Sequence, residues 1–97
     1  LIISFGNQGT ADLFNGIETR EAKKIPSEIT KTALKKLDML NAAEQLDELK
    51  VPPGNRLEAL KGNLKYYYSI RINNRWRIIF QWDNGKVSQV QIIDYHN

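Results

Sequence analysis

The chain has 97 residues, of which 41% are hydrophobic and 26% charged; it contains no cysteine and carries a formal net charge of +3. This balance excludes a disordered tail, a collagen-like fibre and a disulfide scaffold, and leaves one small domain spanning residues 1–97. No unbroken apolar run exceeds three residues, so neither a membrane span nor a secretory leader is expected, and the expected compartment is the cytosol.

Leu1–Phe5 reads as a short strand closed by Gly6 and Gly9. Thr10–Asn15 reads as a short helix with Leu13 and Phe14 inward, ending near Gly16. Residues 25–49 form the clearest helical stretch, because Ile25, Ile29, Ala33, Leu37 and Leu40 recur at helical spacing and Leu34 widens the stripe. Pro26 suits the first turn, Ser27 and Glu28 suit the positive end of the dipole, and Lys31, Lys35 and Lys36 are assigned to the outer side. A break around Asn41–Ala43 separates a second short helix, Glu44–Leu49. Val51-Pro52-Pro53-Gly54-Asn55 then ends all helix.

Beyond residue 65 the period falls to two. Tyr66, Tyr68, Ile70 and Ile72 alternate with Tyr67, Ser69, Arg71 and Asn73; Trp76, Ile78, Phe80 and Trp82 alternate with Arg75, Arg77, Ile79 and Gln81; Val87–Ile93 makes a third run. The class is therefore α+β. The expected sheet is antiparallel, an N-terminal strand plus a C-terminal meander of three strands, with two to three helices on one face.

The first hairpin constrains its own register. A two-residue Asn73-Asn74 turn would mix charge and core on both faces. A three-residue loop, Asn73–Arg75 with Asn74 left-handed, puts Ile72 opposite Trp76, Ile70 opposite Ile78 and Tyr68 opposite Phe80, leaving one face apolar. It also sets Arg71 across from Arg77, a repulsive pair that calls for Asp94 or an external anion. Trp76 and Trp82 are expected in the core, and Tyr67 on the arginine side can stack on a base.

Charge is unevenly spread. Residues 1–50 hold seven basic and eight acidic side chains, whereas residues 51–97 hold seven basic and three acidic. Arg56, Lys61, Lys65, Arg71, Arg75 and Arg77 stand against Glu58 alone within 56–77, the footprint of a partner bearing phosphate. A solvated basic face explains the same charges, so charge alone does not decide. One histidine and no cysteine argue against a metal site.

Leu49, Pro52-Pro53-Gly54-Asn55-Arg56-Leu57-Glu58, Leu60-Lys61-Gly62, Ser69-Ile70-Arg71-Ile72-Asn73, Arg75-Trp76-Arg77-Ile78, Phe80 and Asp94-Tyr95-His96 together resemble the HigB toxins of bacterial toxin–antitoxin modules, in the RelE/ParE superfamily. The likeness runs over nearly the whole chain. It implies a compact RelE-like domain in the bacterial cytoplasm, a ribosome-dependent ribonuclease that cuts translated messenger RNA in the A site. No metal or cofactor is implied: the RNA 2′-hydroxyl attacks the adjacent phosphate. Matched by motif, Lys61, Arg77 and His96 are the implied catalytic residues, and Arg71 an implied phosphate contact. Arg56, Arg75, Tyr67, Tyr95 and Glu58 complete the candidate RNA-binding set. Glu58 stands where some family members carry histidine, and it either supplies a base or braces Lys61.

The residue types suit this chemistry. Guanidinium forks match phosphate oxygens, a lysine among other cations approaches a usable base, and histidine serves as acid or base. Counted from Val90 and Ile92, Tyr95 rather than His96 falls on the arginine side unless the strand bulges or ends near Asp94. The implied partners are the ribosome and messenger RNA, a HigA-type antitoxin with a helix-turn-helix domain, and operator DNA through that complex. The near-neutral helical half, residues 10–50, is expected to carry the antitoxin contacts. Two alternatives remain at this stage: a ParE-like inhibitor of DNA gyrase, and a basic nucleic-acid-binding module without chemistry.

Overall fold

A computed structural model describes residues 1–95. In chain order these form helices α1 (Gln8–Phe14), α2 (Arg20–Lys23) and α3 (Ser27–Ala42), then strands β1 (Glu58–Ala59), β2 (Tyr68–Arg71), β3 (Trp76–Asp83) and β4 (Lys86–Asp94). Short 3₁₀ turns at Leu46–Lys50, Pro53–Asn55 and Gly62–Leu64 fill the connections.

Helix ends are set by side chains. The Asn7 amide oxygen accepts from the Thr10 backbone N–H at 2.9 Å and opens α1. The Thr19 hydroxyl does the same for Ala22 at 3.1 Å and opens α2, each satisfying a donor that the first turn leaves orphaned. Helix α2 has only Ala22 as an apolar residue, so no hydrophobic period announces it. Pro26 stands one place before α3 as its cap, and the break falls at Ala43. The second helical piece forms as the 3₁₀ turn Leu46–Lys50.

Ile29, Ala33, Leu37 and Leu40 of α3 pack with Ile70, Ile78, Phe80, Val87, Val90 and Ile92 of the sheet in one core. Trp76 and Trp82 are partly buried against it, as expected. Lys36 is not on the outer side. It lies on the buried face of α3, 9% exposed, and its ammonium donates to the side-chain oxygen of the fully buried Asn55. The Asn55 amide in turn donates to the carbonyls of Leu49 at 3.0 Å and Val51 at 3.3 Å. A buried ammonium survives only where it is hydrogen-bonded. Its acceptor here is the residue that ends the proline loop.

The sheet order is β1-β2-β3-β4, antiparallel throughout. Its fourth strand is the two-residue β1, not the N-terminal segment. Leu1–Phe5 instead lies alongside β4 in parallel, held by bridges at Ile2–Val87 and Phe5–Val90. The ladder cannot be continuous because β4 bulges: Gln89 has a φ of 53°, and the pairing with β3 shifts between Ile79 and Gln81. The extra residue keeps Val87 on the core face with Val90 and Ile92. The Gln89 backbone N–H turns to the Ser4 hydroxyl at 2.9 Å.

The first hairpin adopts the expected register, with Tyr68 opposite Phe80, Ile70 opposite Ile78 and Arg71 opposite Arg77. Asn74 is not left-handed, however. The Asn73 side chain closes the loop by accepting from the backbone N–H groups of Arg75 and Trp76, both at 2.8 Å, so no positive φ is required. The second hairpin does use one: Asn84 and Gly85 take φ of 51° and 83°, as a two-residue turn between paired Asp83 and Lys86 demands.

Burial, with Lys35 nearby, lowers the Lys36 ammonium from its ordinary value of 10.5. Below 10.5 the unfolded chain therefore holds a proton that the folded chain releases first, so stability rises with pH as that lowered value is passed. Urea unfolding of wild type and Lys36→Met from about pH 7 to about pH 10 is expected to show this rise in wild type and a flatter profile in the variant.

Candidate active site

The pairing of Glu58 with Ser69, Ser69 with Ile79, Arg71 with Arg77, and Arg77 with Ile93 puts all of these on the sheet face opposite the core. Arg77 is the anchor of that face. Its side chain is largely enclosed, with 9% of the residue exposed, yet it lies outside the apolar core. Nε donates to the buried Ser69 hydroxyl at 2.9 Å and Nη2 donates to the Arg56 carbonyl at 2.9 Å. Glu58 approaches Nη2 at 3.3 Å, and the Tyr95 ring lies 5.3 Å from the guanidinium carbon. Nη1 has no hydrogen bond among the described residues and is not enclosed without one. The guanidinium is thus held at Nε and Nη2, with Nη1 unpaired among the described residues.

Desolvation lowers the Arg77 pKa; Glu58 and Tyr95 oppose that shift, while Arg71 and Arg56 reinforce it. Arginine keeps its proton regardless. The carbonyl that holds it comes from a non-glycine residue with left-handed backbone, Arg56 at φ 47° and ψ 54°. That conformation aims the Arg56 carbonyl at Arg77 while its own side chain stays exposed.

The other predicted residues fall in different settings. Arg71 is half-buried and donates from Nε to the Asn73 carbonyl at 3.0 Å. Asp94 pairs with Arg75 instead of Arg71, at 2.7 Å from Nη2 and 2.8 Å from Nε, because Arg75 sits at the hairpin end beside the last residue of β4. The Arg75 carbonyl also accepts from the Tyr95 N–H at 2.8 Å. With this contact Tyr95 lands on the arginine side, beside Arg77, as strand parity requires. Tyr67 is half-buried at the entry to β2. Lys61 precedes the 3₁₀ turn Gly62–Leu64 as its cap and is exposed; its side chain makes no hydrogen bond or ion pair among the described residues. Glu58 braces Arg77, not Lys61. His96 lies outside the described residues. Ser69 is absent from the predicted site residues, and its place two residues before Arg71 on one strand is the signal the sequence offers for it.

Among the described residues no three metal-ligating side chains converge, and no helix is long and apolar enough to cross a membrane. In fold, the chain aligns over its full length with 99% of one chain in each of two structures of the YoeB-YefM complex from Staphylococcus aureus, with TM-scores of 0.60 and 0.56, each at 18% identity.

Residues 4–96 match the family of HigB-like toxins, described as RelE-like toxins of type II toxin-antitoxin systems. Toxin HigB-1 of Vibrio cholerae is 46% identical over 68 residues, covering 70% of this chain and 72% of that one. Endoribonuclease HigB of Proteus vulgaris is 31% identical over 100 residues, covering 99% of this chain and all of that one. The chain belongs to the HigB-like toxin family.

Glu58 is half exposed, so its contact with Arg77 is screened and contributes less than about 1 kcal/mol. Glu58→Gln is expected to leave the urea midpoint nearly unchanged while raising affinity for a short RNA several-fold at low salt, measured by fluorescence anisotropy.

Proposed function

We propose that this HigB-like toxin, an endoribonuclease, cuts translated messenger RNA in the ribosomal A site without a metal. The reading is carried by Arg77, a buried guanidinium held rigid on an otherwise basic, open sheet face. Preorganised donors aimed at developing charge contribute most where they need not reorganise during the reaction. In the proposed step the RNA 2′-oxygen attacks the adjacent phosphorus and the bond to the 5′-oxygen breaks. One group takes the 2′-proton and another returns a proton to the leaving oxygen. The products are a 5′-hydroxyl and a cyclic phosphate.

Arg77 would donate to the phosphorane oxygens through its free amine. Lys61 and His96 would divide the proton transfers. Arg71, Arg56 and Arg75 would meet phosphates, Tyr67 and Tyr95 would stack on bases, and Glu58 would tune Arg77. A HigA-type antitoxin with a helix-turn-helix domain would neutralise the toxin in the bacterial cytoplasm and carry the pair to operator DNA.

The test is in vitro translation of a defined message with mapping of RNA ends. Wild type is expected to create new 5′-termini at codon boundaries, and only with ribosomes present. Arg77→Ala, Lys61→Ala and His96→Ala should each lower the cleavage rate at least about 100-fold. Equal cleavage of free RNA would overturn ribosome dependence. Absence of cleavage together with gyrase inhibition would establish the ParE-like alternative.

A further inference from the structure

Arg77 can act on a phosphate only if its fork is aimed, and two acceptors of the protein aim it. The Ser69 hydroxyl is fully buried and accepts from Nε at 2.9 Å. The Arg56 carbonyl accepts from Nη2 at 2.9 Å, and it belongs to the residue directly after Asn55. Asn55 is fully buried and fastened on three sides, by the Lys36 ammonium and by the Leu49 and Val51 carbonyls. The guanidinium is therefore gripped between a strand hydroxyl and a loop carbonyl whose loop is anchored to the core-facing side of α3. These partners engage Nε and Nη2, which leaves Nη1 free.

We propose that Ser69 and Asn55 are positioning residues for Arg77. Ser69 holds Nε directly, and Asn55, secured by Lys36, sets the loop carbonyl that holds Nη2. The inference rests on Arg77 being catalytic, as argued above. A planar guanidinium with two of its nitrogens fixed has its remaining donor direction fixed as well. Loss of one hold lets the fork rotate, and misplacement of a donor by an ångström is costly in rate. This arrangement also accounts for a lysine on the apolar face of α3: its acceptor is the post of the loop.

The experiment measures single-turnover cleavage on programmed ribosomes. Ser69→Ala is expected to lower the maximal rate about tenfold with KM within about twofold, and Ser69→Thr, which keeps the hydroxyl, to recover most of it. The decisive comparison uses Arg77→Lys as background, because lysine has no Nε for Ser69 to hold. There Ser69→Ala should change the residual rate by less than about twofold. In wild type the Arg77 Nε–H should give a slowly exchanging NMR signal that is lost in Ser69→Ala. Asn55→Ala should weaken that signal at temperatures where circular dichroism still reports a folded chain.

An equal tenfold loss in the Arg77→Lys background would make Ser69 merely structural and overturn the proposal. So would wild-type cleavage by Ser69→Ala. If Arg77→Ala itself cleaves normally, the failure lies with the function assigned to Arg77, and the two outcomes are distinct.

Discussion

The pairing of Ile70 with Ile78 governs what every later residue in the sheet can do. Side chains alternate along a strand, so a slip of one residue would carry the arginines into the core and the isoleucines into solvent. With the register fixed, Ile70, Ile78 and Phe80 lie fully buried under α3. Arg71 and Arg77 must then face each other on the opposite side, an arrangement that opposes stability. The structure relieves it by different means on the two strands. Arg71 turns to the Asn73 carbonyl in its own hairpin, and Arg77 turns inward to Ser69, Arg56 and Glu58. The repulsive pair becomes one enclosed cation and one more accessible cation.

Enclosing a cation has a desolvation cost, which two neutral acceptors at Arg77 offset. A tight carboxylate would offset that cost most directly, but it would also quench the field presented to an incoming anion. The chain instead supplies a hydroxyl, a carbonyl and the face of a ring, with its carboxylate at 3.3 Å and half exposed. Neutral dipoles satisfy the hydrogen bonds and leave the net charge in place. Lys36 and Asn55 repeat the same device on the other side of the loop, again pairing a buried cation with a neutral partner.

Legibility in the sequence followed the range of the interactions. Periods of 3.6 and 2 are local, so α3, the two hairpins and the arginine face could be read directly from Ile29–Leu40 and from Tyr66–Trp82. Tyr95 followed from parity alone. What escaped reading depends on contacts between distant segments or on a single dihedral angle. Lys36 looks like an outer lysine until the Asn55 loop folds over it. Asn74 reads as a left-handed turn residue because the role of the Asn73 side chain in closing the loop is invisible in a string of two asparagines. The Gln89 bulge breaks the β4 period by one residue, so the N-terminal segment meets β4 in two separate bridges where an even strand was expected. Ser69 reads as an ordinary strand residue, and only the fold reveals that its hydroxyl has a guanidinium to hold.

The hairpin end joins these features at the site. Arg75, a candidate RNA contact by sequence, has its side chain engaged with Asp94 on the neighbouring strand. Both groups are solvent-accessible, so the ion pair adds little to stability. Its geometric effect is larger. With the Arg75 carbonyl accepting from Tyr95, it fixes where β4 ends and lays the Tyr95 ring against Arg77. A cation over an aromatic face keeps its charge while losing water on that side, so the ring covers one side of the Arg77 guanidinium. An arginine exposed on all sides would keep its full hydration, whereas Arg77 is held at Nε and Nη2 and faces the Tyr95 ring, so its orientation is set by the protein and not by solvent.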